Sequence, residues 1–257
     1  SLPEVSMTPT DANGVACFWL QANRDAKAPI ILYFHGDGYV MGSALSPRAL
    51  LERLTLSCGG KLLAVNYRLA PEHPFPAATD DALSTYRWLL EQGLSAKNIA
   101  IIGDSAGGGL ALSTLVAIRD AGLELPSSAS LISPWVDMDA SGNSMKTKAA
   151  LDPLVQKAML LQLAPMYLNG ADPRTPLASP LHAELHGLPP ILIQVGSAET
   201  LLDDSHRLAE KLDLAGNAVT LEVWEDMIHV WHLFASRLDK GQEAIERVAE
   251  FTRQLSG

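Results

Sequence analysis

Short, uninterrupted apolar runs that alternate with amphipathic helical stretches constrain this 257-residue chain more than any other feature. Residues 15–20, 30–34, 62–65, 99–102, 131–133, 191–195 and 219–223 read as strands. Residues 49–56, 79–90, 110–121, 203–214 and 242–255 carry apolar positions at helical spacing. A run of four or five apolar residues with no polar alternation must be buried on both faces. That is the pattern of a mostly parallel sheet with helices on either side, an α/β architecture. Length and continuity of the pattern predict a single domain over residues 1–257. One stretch departs from the rhythm. Residues 137–180 hold a helical run at 154–168 and three prolines beyond it, Pro173, Pro176 and Pro180. This is too long for a simple crossover and reads as an excursion over one end of the sheet.

Composition removes several classes of function. With 19 basic and 29 acidic residues the net charge is −10, so binding nucleic acid by phosphate neutralisation is not expected. Only two cysteines occur, Cys17 and Cys58, which leaves neither a disulfide framework nor a structural zinc site. No apolar stretch reaches the ~18 residues that a membrane span requires. Ser1-Leu2-Pro3-Glu4-Val5 has no basic region and no long apolar run. No signal peptide is visible there, and a cytoplasmic location is expected.

In a parallel sheet the ligand crevice lies beyond the carboxyl ends of the strands, so chemistry is sought there. After the 99–102 run comes Gly103-Asp104-Ser105-Ala106-Gly107, a G-x-S-x-G followed by a helical stretch. Strand, sharp turn and helix are the context of a nucleophile elbow. The turn closes on itself, so the positions two before and two after the serine must lack bulky side chains. Its hydroxyl is left exposed above the sheet, with the helix N-terminus beneath it.

A nucleophilic serine needs a base, and the base needs an orienting acid. His229 directly follows the last predicted strand and is the preferred base, with His232 as the alternative; His206 falls on the helix after Glu199. The acid is sought after the 191–195 run, where Glu199 is preferred over Asp203 and Asp204. Asp203 also fits a helix N-cap. An oxyanion requires backbone donors: one from Ala106, after the serine, and others from the loop His35-Gly36-Asp37-Gly38 that follows the 30–34 strand. Trp135, Tyr39 and Trp231 are candidates for pocket walls or plain core. His182 and His186 stand four apart without a third ligand, so no metal site is expected.

These motifs resemble the hormone-sensitive-lipase-like esterases, the bacterial family IV carboxylesterases. His35-Gly36-Asp37-Gly38 is similar to the family's HGGG loop, and Gly103 to Gly108 to its GDSAGG elbow. Tyr67-Arg68-Leu69-Ala70-Pro71-Glu72-His73-Pro74-Phe75-Pro76 matches a further family segment. Leu177-Ala178-Ser179-Pro180-Leu181 and Met227-Ile228-His229 also fit. The resemblance implies an α/β-hydrolase fold with a helical cap, here reduced to the excursion at about 137–180. It implies hydrolysis of short-chain carboxylic esters through an acyl-enzyme, with no metal or organic cofactor. Ser105 would be nucleophile, His229 base and Glu199 acid, where many members carry Asp. The backbone N–H groups of Asp37, Gly38 and Ala106 would form the oxyanion hole. Pairing of two copies through the edge strand near Val219 and Val223 is also implied.

Asp37 departs from the glycine of the family loop. Its backbone N–H survives the change and Asp tolerates unusual φ, but its carboxylate is a difficulty. At ~5 Å from an oxyanion and an effective dielectric of ~20, repulsion is about 3 kcal/mol, roughly a hundredfold in rate. The side chain is therefore expected to point away from the oxyanion or to be held by donors. An amidase or peptidase on the same residues, and a non-catalytic ligand-binding member of the fold, are the alternative functions. A nucleotide-binding protein is disfavoured, because Gly103 to Gly109 lacks the dinucleotide spacing and the P-loop lysine.

Overall fold

The computed structural model describes residue 2, residues 4–22 and residues 28–257. Ser1 and Pro3 of the N-terminal stretch read above lie outside the described residues. The strands are β1 (Val5–Ala12), β2 (Val15–Ala22), β3 (Ile30–Phe34), β4 (Lys61–Val65), β5 (Ile99–Asp104), β6 (Ser128–Ile132), β7 (Ile191–Gly196) and β8 (Val219–Trp224). They form one eight-stranded sheet in the order β1-β2-β4-β3-β5-β6-β7-β8. β1 and β2 pair antiparallel, as do β2 and β4. Every pairing from β4 across to β8 is parallel.

The mostly parallel sheet predicted from the apolar runs is thus present, with one strand more than the sequence pattern reveals. β1 is half polar, and only its end residues Val5 and Ala12 are buried. It also contains Pro9, opposite Phe18. A strand at the sheet edge buries little and tolerates a proline, so it lacks the apolar signature of the others. β6 starts earlier than the apolar run implies, because Ser128, Ala129 and Ser130 are small yet fully buried.

The helices are α1 (Arg48–Cys58), α2 (Ala77–Glu91), α3 (Ala106–Asp120), α4 (Ser144–Thr147), α5 (Lys157–Leu168), α6 (Leu202–Leu214) and α7 (Asp239–Leu255). Alternate strand residues feed two cores. Ile31, Tyr33, Leu62 and Ala64 pack with α1 and α7 residues such as Leu54 and Ile245. Leu32, Phe34, Leu63 and Val65 pack with α2 and α3 residues such as Tyr86 and Leu115. Helix α7 shows how sequence sets its seat. Its buried positions Ala244, Ile245, Val248, Ala249 and Thr252 form one stripe, and the rest of its length is mostly charged or polar. Among the described residues no helix is long and apolar enough to cross a membrane.

The excursion joins β6 to β7. It contains α4, α5 and a 3-10 turn at Pro180–His182. Helix α5 contains Pro165 and ends at Asn169 in the left-handed conformation, φ 47°. It lies over the turn after β3: a Cβ added to Gly38 would come within 2.6 Å of Leu163 Cδ1.

Helix α3 enters the sheet at close quarters. A Cβ on Gly107 would collide with the carbonyl oxygens of Phe34 and His35, and one on Gly103 with the Gly107 carbonyl. Both glycines are required for close backbone approach, where only main-chain atoms could yield. Gly107→Ala is expected to destabilise by about 3 kcal/mol, the upper range for overpacking. In a thermal melt this lowers Tm by roughly 6–12 °C for a domain of this size. An unchanged Tm would show that the tip of β3 can move aside.

Candidate active site

Ser105 stands between β5 and α3 with φ 51° and ψ −120°. A non-glycine residue pays about 1–3 kcal/mol for such a conformation, so its surroundings must hold it. They do so on both sides. Ser105 N–H donates to Ile132 O at 2.8 Å, and Ser105 O accepts from Trp135 N–H at 2.9 Å and Gly109 N–H at 3.1 Å. The serine is only partly buried while its neighbours Asp104 and Ala106 are buried. Its hydroxyl is thereby left at the carboxyl end of the sheet, where the elbow reading placed it.

His229 lies in the loop after β8, and its Nδ1 is 3.0 Å from Glu199 Oε2. Since a carboxylate only accepts, Nδ1 carries the proton and Nε2 is left as the basic nitrogen. Glu199 is fully buried. Its second oxygen, Oε1, accepts from Ser133 Oγ–H at 2.7 Å and from Gly196 N–H at 2.6 Å. Ser133 also accepts from Val230 N–H at 3.1 Å. One hydroxyl therefore joins the end of β6, the acid, and the residue after the imidazole. The sequence does not single out Ser133, because a serine ending a strand has no motif. Its only signal is its place at a strand's carboxyl end.

The loop after β3 adopts left-handed conformations at Asp37 and Gly38, both with φ 68°. Among the described residues the N–H groups of Asp37, Gly38 and Ala106 make no backbone hydrogen bond outside their own helical turns. Gly38 and Ala106 are buried, and buried unpaired amides are rare. They are available to a ligand oxygen. The Asp37 carboxylate turns toward Gly42, where an added Cβ would collide with it. Partial burial raises its pKa, and the neighbouring His229 opposes that rise.

Asp104 supports the same loop. It accepts a hydrogen bond from Tyr33 O–H, and a Cβ on Gly36 would meet its Oδ2 at 2.5 Å. Burial raises its pKa to about 6, with the Tyr33 hydrogen bond acting in the other direction.

Ser105, His229, Asp37 and Gly38 all open onto one cavity of about 330 Å³. Asp104 also borders it, and its remaining walls are apolar. Leu154, Val155, Met159, Leu160 and Leu163 come from the excursion, and Trp135 from the segment after β6. Of the other aromatic candidates, Tyr39 is stacked on Tyr167 at 3.9 Å and Trp231 is fully buried beside His232. Both are core.

The alternative site residues lie elsewhere. His232 is buried, with Nε2 2.8 Å from Gln194 Oε1, and burial lowers its pKa to about 3. His206 is exposed on α6. Asp203 lies in the first turn of α6, inside the helix rather than at its cap, and accepts from Ser144 N–H at 2.8 Å. Asp204 accepts from Val136 and Asp137 N–H at 3.1 and 3.2 Å. His182 ends a 3-10 turn and His186 lies in a later turn, so the two share no helix face. Among the described residues no group of three His, Cys, Asp or Glu side chains could hold a metal ion.

A parallel sheet with a strained serine at its carboxyl edge, and on the same cavity an imidazole held from behind by a buried carboxylate, defines the α/β-hydrolase class. Comparison with known proteins agrees. A family model for the alpha/beta hydrolase fold matches residues 31–233. An acetyl-hydrolase of Streptomyces hygroscopicus is 47% identical over 240 residues, spanning 93% of this chain and 80% of the relative. The crystal structure of an esterase from the bacterial hormone-sensitive lipase family superposes with TM-score 0.98 at 45% identity, covering 100% of this chain and 86% of that one. The crystal structure of EstE5 soaked with p-nitrophenyl butyrate gives TM-score 0.96 at 47% identity, covering 99% and 86%. The chain belongs to the hormone-sensitive-lipase-like carboxylesterases of the alpha/beta hydrolase fold. It is a hydrolase acting on carboxylic ester bonds.

The electrostatics of His229 yield a direct test. Burial alone would lower its pKa, but the Glu199 hydrogen bond and charge, with the charges of Asp152 and Asp104, prevail and raise it above 6.5. In Glu199→Gln the largest raising influences vanish, so the imidazole should lose its proton at lower pH than in the wild type. Titration of the ring by NMR reads this directly. An unmoved or raised pKa in the variant would contradict the assigned balance of burial and charge.

Proposed function

We propose that the protein hydrolyses short-chain carboxylic esters through an acyl-enzyme on Ser105. The carrying observation is that Ser105 shares a cavity with His229, whose Nδ1 is held 3.0 Å from Glu199. Ser105 Oγ attacks the ester carbonyl carbon as its proton passes to His229 Nε2. The carbonyl oxygen becomes an oxyanion and is received by the N–H groups of Asp37, Gly38 and Ala106. The tetrahedral intermediate collapses, the C–O bond to the alcohol breaks, and the alcohol leaves with the proton from His229. A water molecule then gives a proton to His229 and attacks the acyl carbon. The acid leaves and Ser105 recovers its proton. Glu199 fixes the imidazole tautomer and stabilises the imidazolium form.

The size of the cavity supports a short acyl chain. At about 330 Å³ it sits near the lower end of ligand pockets, which run from about 300 to 1,000 Å³. Its walls at Leu154, Met159, Leu160 and Leu163 belong to the 137–180 excursion. That excursion therefore serves as the cap of this single domain and sets the length limit. The bend of the Asp37 side chain toward Gly42 supports a backbone-only role for that residue.

Two experiments test the reading. In an acyl-length series of p-nitrophenyl esters, wild type should turn over acetate and butyrate best. Ser105→Ala should lose nearly all turnover, and a fluorophosphonate should label Ser105 alone. Absence of turnover at every length, with no labelling, would favour a ligand-binding protein; faster cleavage of matched amides would favour an amidase. In the second, Asp37→Gly should raise kcat by far less than the hundredfold that a carboxylate facing the oxyanion would exact. A hundredfold rise would show that the charge faces the oxyanion.

A further inference from the structure

Asp152 is a buried carboxylate, 2% exposed, in the turn that leads into α5. Its nearest partners are all hydrogen-bond donors. Oδ1 accepts from the N–H groups of Leu154 and Val155, both at 2.9 Å. Oδ2 accepts from Thr200 N–H at 2.9 Å and from Thr200 Oγ1 at 3.1 Å. The Thr200 hydroxyl has one hydrogen, which it divides between Asp152 and Val155 O, 3.0 Å away. Among the described residues Asp152 makes no salt bridge. A buried charge without a counter-ion is costly unless donors satisfy it, and charge-assisted bonds of this kind are the strong ones.

The two ends of this clamp lie on different parts of the site. Leu154 and Val155 are walls of the cavity. Thr200 directly follows Glu199, whose Oε2 holds the His229 ring. A single carboxylate thus bolts the acyl wall to the acid loop across 48 residues of sequence.

We propose that Asp152 is a positioning residue, coupling the place where the acyl group seats to the alignment of the Glu199–His229 pair. The inference rests on the ester-hydrolysis reading above. Seating an acyl chain against Leu154 and Val155 presses, through Asp152, on the loop that holds Glu199. Acyl-length preference should therefore be expressed in kcat as well as in KM. Asp152 also adds negative charge around the imidazole. The groups influencing His229 are Glu199 after β7, Asp104 at the end of β5 and Asp152 before α5, all raising its pKa. Asp37 after β3 and His232 beyond the same loop also interact with it electrostatically.

The test uses Asp152→Asn. The amide keeps an acceptor for one pair of donors but turns its own N–H₂ toward the other pair, so the clamp opens on one side. A misplacement on the order of 1 Å costs up to about a hundredfold in rate. We expect kcat for p-nitrophenyl butyrate to fall about ten- to hundredfold, and the butyrate-to-acetate ratio of kcat to collapse. The acid limb of kcat/KM and the NMR titration of His229 should both move to lower pH. A folded variant whose kcat falls equally for all acyl lengths, with an unmoved imidazole titration, would overturn the proposal. So would wild-type kinetics. If Asp152→Asn does not fold, Thr200→Val removes only the hydroxyl donor and should weaken the length preference in the same sense; unchanged preference there also refutes the coupling. The imidazole titration reads Asp152 without turnover, so a wild type inert toward esters would count against the hydrolytic reading and not against the clamp.

Discussion

The backbone at Ser105 is held in a conformation it would not choose, and the rest of the site is arranged around that constraint. The bend survives because β6 receives its N–H through Ile132 and the segment after β6 donates to its carbonyl through Trp135. Helix α3 can begin immediately beyond only because Gly107 lets it rest on the carbonyls of Phe34 and His35. These contacts tie the serine to β3, β5 and β6 together. The loop after β3 and Ser133 after β6, which donates to Glu199, are thereby carried to the same edge. Packing in the sheet thus stabilises the strain and sets the geometry, without any local motif having to supply both.

Legibility in the sequence followed the range of the interactions. The elbow could be read because strand, turn and helix are adjacent in the chain, and steric closure dictates glycine at Gly103 and Gly107. His229 and Glu199 could be read because a parallel sheet brings each strand's end to one edge, whatever lies between. β1 escaped because an edge strand containing Pro9 buries little and so needs no apolar run. Ser133 and Asp152 escaped for another reason. Their partners, Glu199 and Thr200, lie 66 and 48 residues away, and serine or aspartate at a turn is equally common without such partners. Tyr39 and Trp231 show the reverse, aromatic residues near the site that packing claims entirely.

The excursion between β6 and β7 touches the site twice. Its apolar side chains line the cavity beside Ser105, and its polar anchors grip the loop that carries Glu199. Ser144 Oγ–H donates to Thr200 O at 2.6 Å, and Asp152 holds the same residue from its side chain. Evolutionary change in this segment therefore reaches the site by two routes, through the shape of the wall and through the seat of Glu199.

The contact between Asp37 and Gly42 carries a consequence for how such a loop can diverge. Position 42 is closed to side chains by its own backbone, φ 79°, and again by the carboxylate lying against it. A side chain placed at 42 would have to displace that carboxylate as well as accept a left-handed backbone. Glycine at 42 is thus the residue that leaves room for an aspartate at 37, and the two positions are sterically coupled.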